Sequence, residues 1–442
     1  GDPDTVGEQF AAQLRPGIDG FTIKSSSTGG GIIVNGFADY LNISNNRVAN
    51  NQGFHGGGIR VGHPTLVDPY NIFYVDADND YVSIHNNQVV FNGGLGGAGG
   101  GISMCTGSDG YKVTKNWVCG NFSLRNGGGI AHTGLSDGTW ALGGGQGNNR
   151  PWILTDIPEI ADNTIIFNES FFPGQTVSGG GIYVGGGQPL APGALTTGAG
   201  NLRIDGNLIQ GNAAGAGDGG GIRLAGINGE DVAANPGNDP KRNGNQGRND
   251  PAPWYSVEIF DNMIVNNVAA LAGGGISLQD ATDVRMIHNT IANNDSLGTA
   301  GEAFAPGSPN QSTPQPGAGV ATRAHSTGLV AASANVGTFS LDPTNLSSDF
   351  ANNIVWHNRK FFFRVEDGVP GSTATPGIWG LCPEIGGSVA GLVCPGGNTE
   401  VYDDLAVIGT VGSLTCTNCL EGIDPAFVDE YANGNRSSVD QT

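Results

Sequence analysis

The chain has 442 residues, 77 of them Gly, only 13% charged, with a formal net charge of −21. That charge excludes the phosphate neutralisation on which nucleic-acid binding rests, and it opposes anionic membrane surfaces. So much glycine would suit disorder, but 38% of the residues are hydrophobic and the Ile and Val keep fixed offsets from Gly and Asn, which a disordered chain has no reason to do.

Residues 1–16 are polar and read as a lead-in or cap, with no signal peptide. A first unit follows, "GIDGFTIKSSSTGGGI", carrying Ile23 and Ile32. Then a motif begins: aliphatic-x-x-Asn-x-aliphatic-x-x-Asn. It stands at Ile43/Asn46/Val48/Asn51, Ile84/Asn87/Val89/Asn92, Val113/Asn116/Val118/Asn121 and Ile160/Asn163/Ile165/Asn168. It continues at Ile204/Asn207/Ile209/Asn212, Ile259/Asn262/Ile264/Asn267, Met286/Asn289/Ile291/Asn294 and Phe350/Asn353/Val355/Asn358. The first seven copies are each followed by Gly-Gly-Gly-Ile or its remnant, ending at Ile59, Ile102, Ile130, Ile182, Ile222, Ile276 and Val320. Repetition of this kind signals stacked units.

The shortest repeat, Ile259 to Met286, is 27 residues and has no helical period. Short β-branched pieces between Asn and Gly turns predict three strands per turn of a solenoid. A leucine-rich repeat also uses an Asn ladder, but it lacks Gly triplets and needs Leu-rich framing. The expected fold is all-β, a right-handed parallel β-helix of roughly nine coils. Its aliphatics point inward and stack on their counterparts one coil along, about 4.8 Å away. The Asn residues are expected at bends that need left-handed backbone, with their amides satisfying buried groups. The glycines permit tight corners.

Intervals vary mainly after the Gly-Gly-Gly-Ile strand, so insertions fall along one edge: 62–80, 132–157, 185–200, 226–256 and 322–347. Another, 298–316, enters elsewhere. Side-by-side loops build a wall, where solenoids bind ligands. They hold Tyr70, Phe73, Tyr74, Trp140, Trp152, Trp254 and Tyr255, whose faces suit sugar rings but could equally pin the loops. Beside the wall, Arg60, Ser103, Ala131, Tyr183, Arg223, Ser277 and Ala321 should face outward. Arg60, Tyr183 and Arg223 could contact a polymer there, with Trp140, Trp152 and Trp254. His132 falls on the inner face, as a hydrogen-bonded core residue. In "VDADNDY", Asp76, Asp78 and Asp80 alternate as hard oxygen ligands that could hold Ca²⁺, though the loop is not an EF-hand. The Asn-x-Ser sequons at Asn121, Asn168 and Asn294 fall on ladder positions and read as accidental.

Six cysteines come in close pairs: Cys105 with Cys119, Cys382 with Cys394, and Cys416 with Cys419. The pattern favours disulfides and an oxidising, extracellular or cell-surface location over zinc or redox work. No apolar run approaches the roughly 18 residues of a membrane span.

On these repeats, residues 17–365 resemble the parallel β-helix proteins, a secreted class that includes pectate lyases and polygalacturonases. Gly-Gly-Gly-Ile paired with aliphatic-x-x-Asn is also similar to the Gly-Gly-Ala-aliphatic and Phe-x-x-Asn motifs of chlamydial polymorphic outer membrane adhesins. Here a third Gly replaces Ala, and Phe precedes the Asn only at Phe350. "GIDPAFVDEYANG", residues 422–434, resembles the stretch that often follows the last coil, so 366–442 reads as an irregular Cys-containing cap or tail.

The resemblance implies a secreted or cell-surface scaffold or binding module, adhesin-like, whose partner is a polysaccharide or another surface protein. The alternative is a polysaccharide lyase or glycoside hydrolase using the same wall. A third reading is a stalk within a larger chain or assembly. Polygalacturonase-type motifs are not matched: "DNT" at 162–164 and "YDD" at 402–404 stand alone. Paired carboxylates could be assembled from Asp137, Asp156, Glu159 and Asp218.

Overall fold

Each Asn-bearing repeat lays down the same succession of short strands. Counting the leading unit as the first, the third runs Ser83–His85, Gln88–Val90, Gly93–Gly94 and Ile102–Cys105. Every strand pairs in parallel with the strand at the same place one repeat along: Val113 lies between Ile84 and Ile160, and Val118 between Val89 and Ile165. The computed structural model describes residues 15–63, 77, 79–134, 157–187, 194–233, 255–304, 306, 312–314, 316–333, 350–366, 377–384, 391–410 and 412–427. Among these, four long parallel sheets stack nine, ten, eight and nine strands. They are lettered A to D in the order the chain visits them. The protein is mostly β, its stacked parallel sheets consistent with a β-solenoid.

Three strands per turn were expected and four are found. The additional one, sheet C, is two residues long and is held by backbone pairing. Gly93–Gly94, Phe122–Ser123 and Ala213–Ala214 occupy equivalent places with no common side-chain pattern.

The interior is a set of files of like on like. Ile43, Ile84, Val113, Ile160, Ile204 and Ile259 line sheet A. Val48, Val89, Val118, Ile165, Ile209 and Ile264 line sheet B. All are fully buried, each worth roughly 1.5–3 kcal/mol over exposure. Sheet D contributes two inner files, because Ile130 and His132 both point inward at alternate positions. His132 takes a place held by Met104 and Val184 in the neighbouring coils.

Two asparagine ladders run the length of the stack. The Asn46 backbone N–H and side-chain Nδ2 both donate to Asn87 Oδ1, at 2.9 and 3.1 Å, and Asn87 Nδ2 donates back to the Ile43 carbonyl at 2.8 Å. The pattern repeats through Asn116, Asn163, Asn207, Asn262 and Asn289 to Asn353. A second ladder joins Asn51, Asn92, Asn121, Asn168, Asn212, Asn267, Asn294 and Asn358. Each amide thus satisfies donors and acceptors that the bend would otherwise bury unpaired. The left-handed residue, however, is the one before the ladder Asn. Asn45, Asn86, Lys115 and Asp162 have φ near 55°, as do Asn50, Phe91 and Phe167 at the second corner.

The three glycines of a triplet do different work. Gly127 has φ 75°. A Cβ on Gly128 would stand 2.5 Å from the Glu169 backbone in sheet C of the next coil. A Cβ on Gly129 would stand 2.7 Å from the Gly181 carbonyl oxygen and 3.0 Å from both the Asn168 amide and the Ile165 side chain. The triplet is therefore one turn residue and two close approaches.

The long connections in repeats two, four, five, six and eight all leave sheet D and return to sheet A. The insertion at 298–316 lies between sheets C and D. Among the described parts, Asp231 ties both ends of the 226–255 connection. Its carboxylate accepts from the Gly229 N–H, from Asn228 Nδ2 at 2.7 Å and from the Tyr255 N–H at 3.0 Å.

The segment after 366 contributes to the stack. Leu405–Ile408 completes sheet D beside Val320–Arg323, and Leu420–Glu421 completes sheet B. Cys382–Cys394 and Cys416–Cys419 are disulfides. Cys105 and Cys119 are free thiols, which corrects the pairing expected for them. Fourteen residues of separation place them on the outer faces of sheets D and B, with the core between them.

Candidate functional site

The strand residue following each isoleucine of sheet D forms one outward file. Register joins Arg60, Ser103, Ala131, Tyr183, Arg223, Ser277 and Ala321 in that order. Tyr183 and Arg223 are neighbours, while Arg60 lies three coils from Tyr183, about 14 Å at the usual strand spacing. The file points out of the stack, yet most of it is covered. Ser103, Ala131, Ser277 and Ala321 are fully buried, and Arg223 is only 6% exposed.

Arg223 is held by the chain itself. Its Nη1 donates to Ser277 Oγ and its Nη2 to Gln279 Oε1, both at 2.7 Å, and Nη1 stands 3.4 Å from Asp218 Oδ2. Arg323, from the strand two coils on, forks onto the same carboxylate at 2.6 and 2.8 Å. The Ala272 N–H adds a third donor to Asp218, at 2.9 Å. One buried carboxylate therefore serves two guanidiniums, with Asp280 adding to the negative charge felt by Arg223 and Glu302 to that felt by Arg323. Burial pulls the Arg223 pKa down, opposed by Asp218. For Arg323, pairing with Asp218 outweighs burial and raises it. The Tyr183 hydroxyl is pushed up by burial, against Arg223. Asp280 and His325 flank the group, 3.5 Å apart. Burial raises the Asp280 carboxyl, but hydrogen bonds from His325 and Ser326 outweigh it and hold the pKa below its ordinary value.

At the other end of the file, Arg60 donates to Asn35. His55 and His63 stand near Arg60, and burial, followed by its charge, lowers both imidazole pKa values.

His132 makes no part of this face. Its Nε2 lies 3.0 Å from the Gly134 carbonyl and 2.9 Å from that of Ala199, so it donates. Its Nδ1 accepts from the Tyr111 hydroxyl at 2.7 Å. Burial lowers its pKa to about 4, keeping the imidazole neutral in the core.

Of the carboxylates weighed as a catalytic pair, the two described ones, Glu159 and Asp218, have separate partners. Asp218 belongs to the arginine cluster. Glu159 sits on the outer face of sheet A, in a file of alternating charge that runs Lys112, Glu159, Arg203, Glu258, Arg285. Lys112 and Glu159 are 3.6 Å apart, and Arg203 and Glu258 2.7 Å. Asp137 and Asp156 lie outside the described residues, as do Trp140, Trp152, Trp254, Asp76 and Asp78. The Asp80 backbone N–H donates to Asp39 Oδ1, at 2.9 Å. Among the described residues no three His, Cys, Asp or Glu side chains gather as a metal set, and no helix is long and apolar enough to cross a membrane.

Sequence reasoning missed Arg323. Its only signal is its place, two after the outward file residue Ala321, where most other coils carry Gly, Ala, Thr or Cys. No family model, curated protein or solved structure matches the chain.

Proposed function

We propose that the protein is a right-handed parallel β-helix serving as a secreted or cell-surface binding module, adhesin-like, with a polysaccharide or a neighbouring surface protein as ligand. The observation that carries this is the common exit of five long connections at the edge between sheets D and A. Loops gathered on a rigid scaffold are where binding residues concentrate. The Arg223–Asp218–Arg323 group on the outer face of sheet D leaves the Arg323 guanidinium partly exposed, a donor suited to a ligand with anionic or hydroxyl-rich groups. The two disulfides suit an oxidising compartment.

The test replaces residues 135–156 by a short Gly/Ser link and compares both proteins against a panel of immobilised polysaccharides. The alternation of Asp76, Asp78 and Asp80 is the reason to run the panel with and without Ca²⁺. The loop variant should lose retention on at least one polysaccharide of the panel while its thermal unfolding stays unchanged. Equal retention by the two proteins on every polysaccharide would sink the wall as the binding surface. New reducing ends or unsaturated products would move the assignment to a lyase or hydrolase.

A further inference from the structure

The corner between sheets B and C repeats one left-handed position in every coil. Asn50, Phe91, Gly120, Phe167, Gly211, Asn266, Asn293 and His357 occupy it in turn, with φ between 54° and 65°, and the His357 ring is stacked on Trp356 and Tyr402. Asn and Gly adopt this geometry at little cost, whereas a bulky aromatic is an outlier there. Phe91 and Phe167 carry a second cost, since the two residues are 61% and 57% exposed. Neither ring adds to the core. Each rests over the glycine of the next coil: a Cβ on Gly120 or Gly211 would come within 2.7 Å of the Phe91 or Phe167 ring. An exposed aromatic at this strained corner, backed by glycine and outside the core cluster, points to a use outside the fold.

The far rim of sheet C repeats the pattern. Phe54, Leu95, Leu124 and Phe171 follow strands in direct register. Phe54, Leu95 and Phe171 are exposed. Phe54 also lies over a glycine, Gly96. Between the rims the outward residues of sheet C are Gln52, Gly93, Phe122 and Glu169. The result is a face with apolar borders, Phe among them, in repeats two to five, across the coil from the edge where the D-to-A insertions leave.

We propose that this face binds a neutral, extended β-linked polysaccharide, with Phe91 and Phe167 as stacking platforms. The proposal names a surface separate from the insertion wall. Phe91 and Phe167 are two coils apart, about 10 Å at the usual strand spacing. That span is comparable to two sugar rings of an extended chain, so alternate rings meet an aromatic. Glycine backing holds each phenyl ring without a side chain beneath it, leaving an apolar face for the C–H face of a pyranose. A net charge of −21 opposes a second copy of the chain and a polyanion alike. A neutral glycan pays neither penalty.

The test uses the full chain and the variants Phe91→Asn, Phe167→Asn and the double variant. Asn already holds this corner at Asn50, Asn266 and Asn293, so the variants should unfold at or above the parent temperature. The probes are xyloglucan, galactomannan and hydroxyethyl cellulose, with polygalacturonate as the acidic comparator, in affinity electrophoresis. The parent should be retarded by at least one neutral glycan, and the double variant about tenfold more weakly. The 135–156 loop variant should keep this binding, which separates the two surfaces. Absence of retardation by every neutral glycan overturns the proposal, as does retardation that the double variant retains. A concentration-dependent dimer lost in the double variant, seen by sedimentation velocity, also overturns it and assigns the face to a second copy.

Discussion

Asn358 ends its ladder on Asp404. The Asn358 backbone N–H and Nδ2 both donate to Asp404 Oδ1, at 3.1 and 2.7 Å, where every earlier rung has an asparagine oxygen. The ladder is polar: each Asn accepts from the coil before it and donates to the coil after it. Its last member needs an acceptor and nothing more, which a carboxylate supplies. Asp404→Ala should cost about 1–3 kcal/mol, because two buried donors lose their partner. Asp404→Asn should cost much less. Chemical denaturation of the two variants checks the ordering.

His132 makes stability depend on pH in a defined window. Its pKa falls from 6.5 in the free side chain to about 4 in the folded protein, through burial. Above about 6.5 neither state carries the proton and the burial is free of penalty. Between there and about 4 the unfolded chain takes up a proton that the folded chain refuses, so stability falls as pH falls. The loss is complete below about 4 and amounts to roughly 3 kcal/mol. His132→Gln removes this titration. The gap in unfolding free energy between parent and variant should narrow by that amount from pH 8 to pH 4. A gap constant with pH would remove His132 as the cause.

The two free thiols should differ in reactivity. Cys105 is 3% exposed, and burial pushes its thiol pKa up against hydrogen bonds from Ser103 and Thr133. Cys119 is half-buried on the outer face of sheet B, beside the exposed Trp117. Burial raises its pKa too. A thiol reagent at pH 8 should label Cys119 slowly in the native protein and Cys105 only on unfolding, since the thiolate must form and be reached. Two equivalents in denaturant without reductant would verify the free pair. None would restore the Cys105–Cys119 disulfide.

The repeat was legible because its signals are local and identical. An Ile under an Ile and an Asn under an Asn leave a trace at every coil. The left-handed position was misplaced by one residue because Asn45–Asn46 and Asn86–Asn87 set two asparagines side by side, and composition cannot tell which bends. Sheet C left little trace, since backbone pairing tolerates Gly-Gly, Phe-Ser and Ala-Ala alike. The outward file was read in the right order, but its burial was not. Arg323 reaches Asp218 across 105 residues of sequence, and no spacing rule announces such a contact.

That contact gives the last prediction. Asp218 and Arg223 are nearly inaccessible, so neither charge is relieved by water when its partner is removed. Asp218→Ala strands two guanidiniums on one covered face and should cost about 3–5 kcal/mol. Arg323→Ala leaves the Asp218–Arg223 pair and removes a partly exposed charge, so it should cost less. If the group exists for stability, replacing all three by apolar residues of similar volume should destabilise the protein as severely as Asp218→Ala. If it is kept for the chemistry of the wall, the apolar triple should unfold at or above the parent temperature, because desolvating three charges offsets most of their attraction. The same triple should then lose retention on the polysaccharide that the 135–156 loop variant fails to hold. Thermal unfolding and affinity electrophoresis on one set of variants separate a structural salt bridge from a binding one. Full stability with full retention would show that the cluster serves neither purpose.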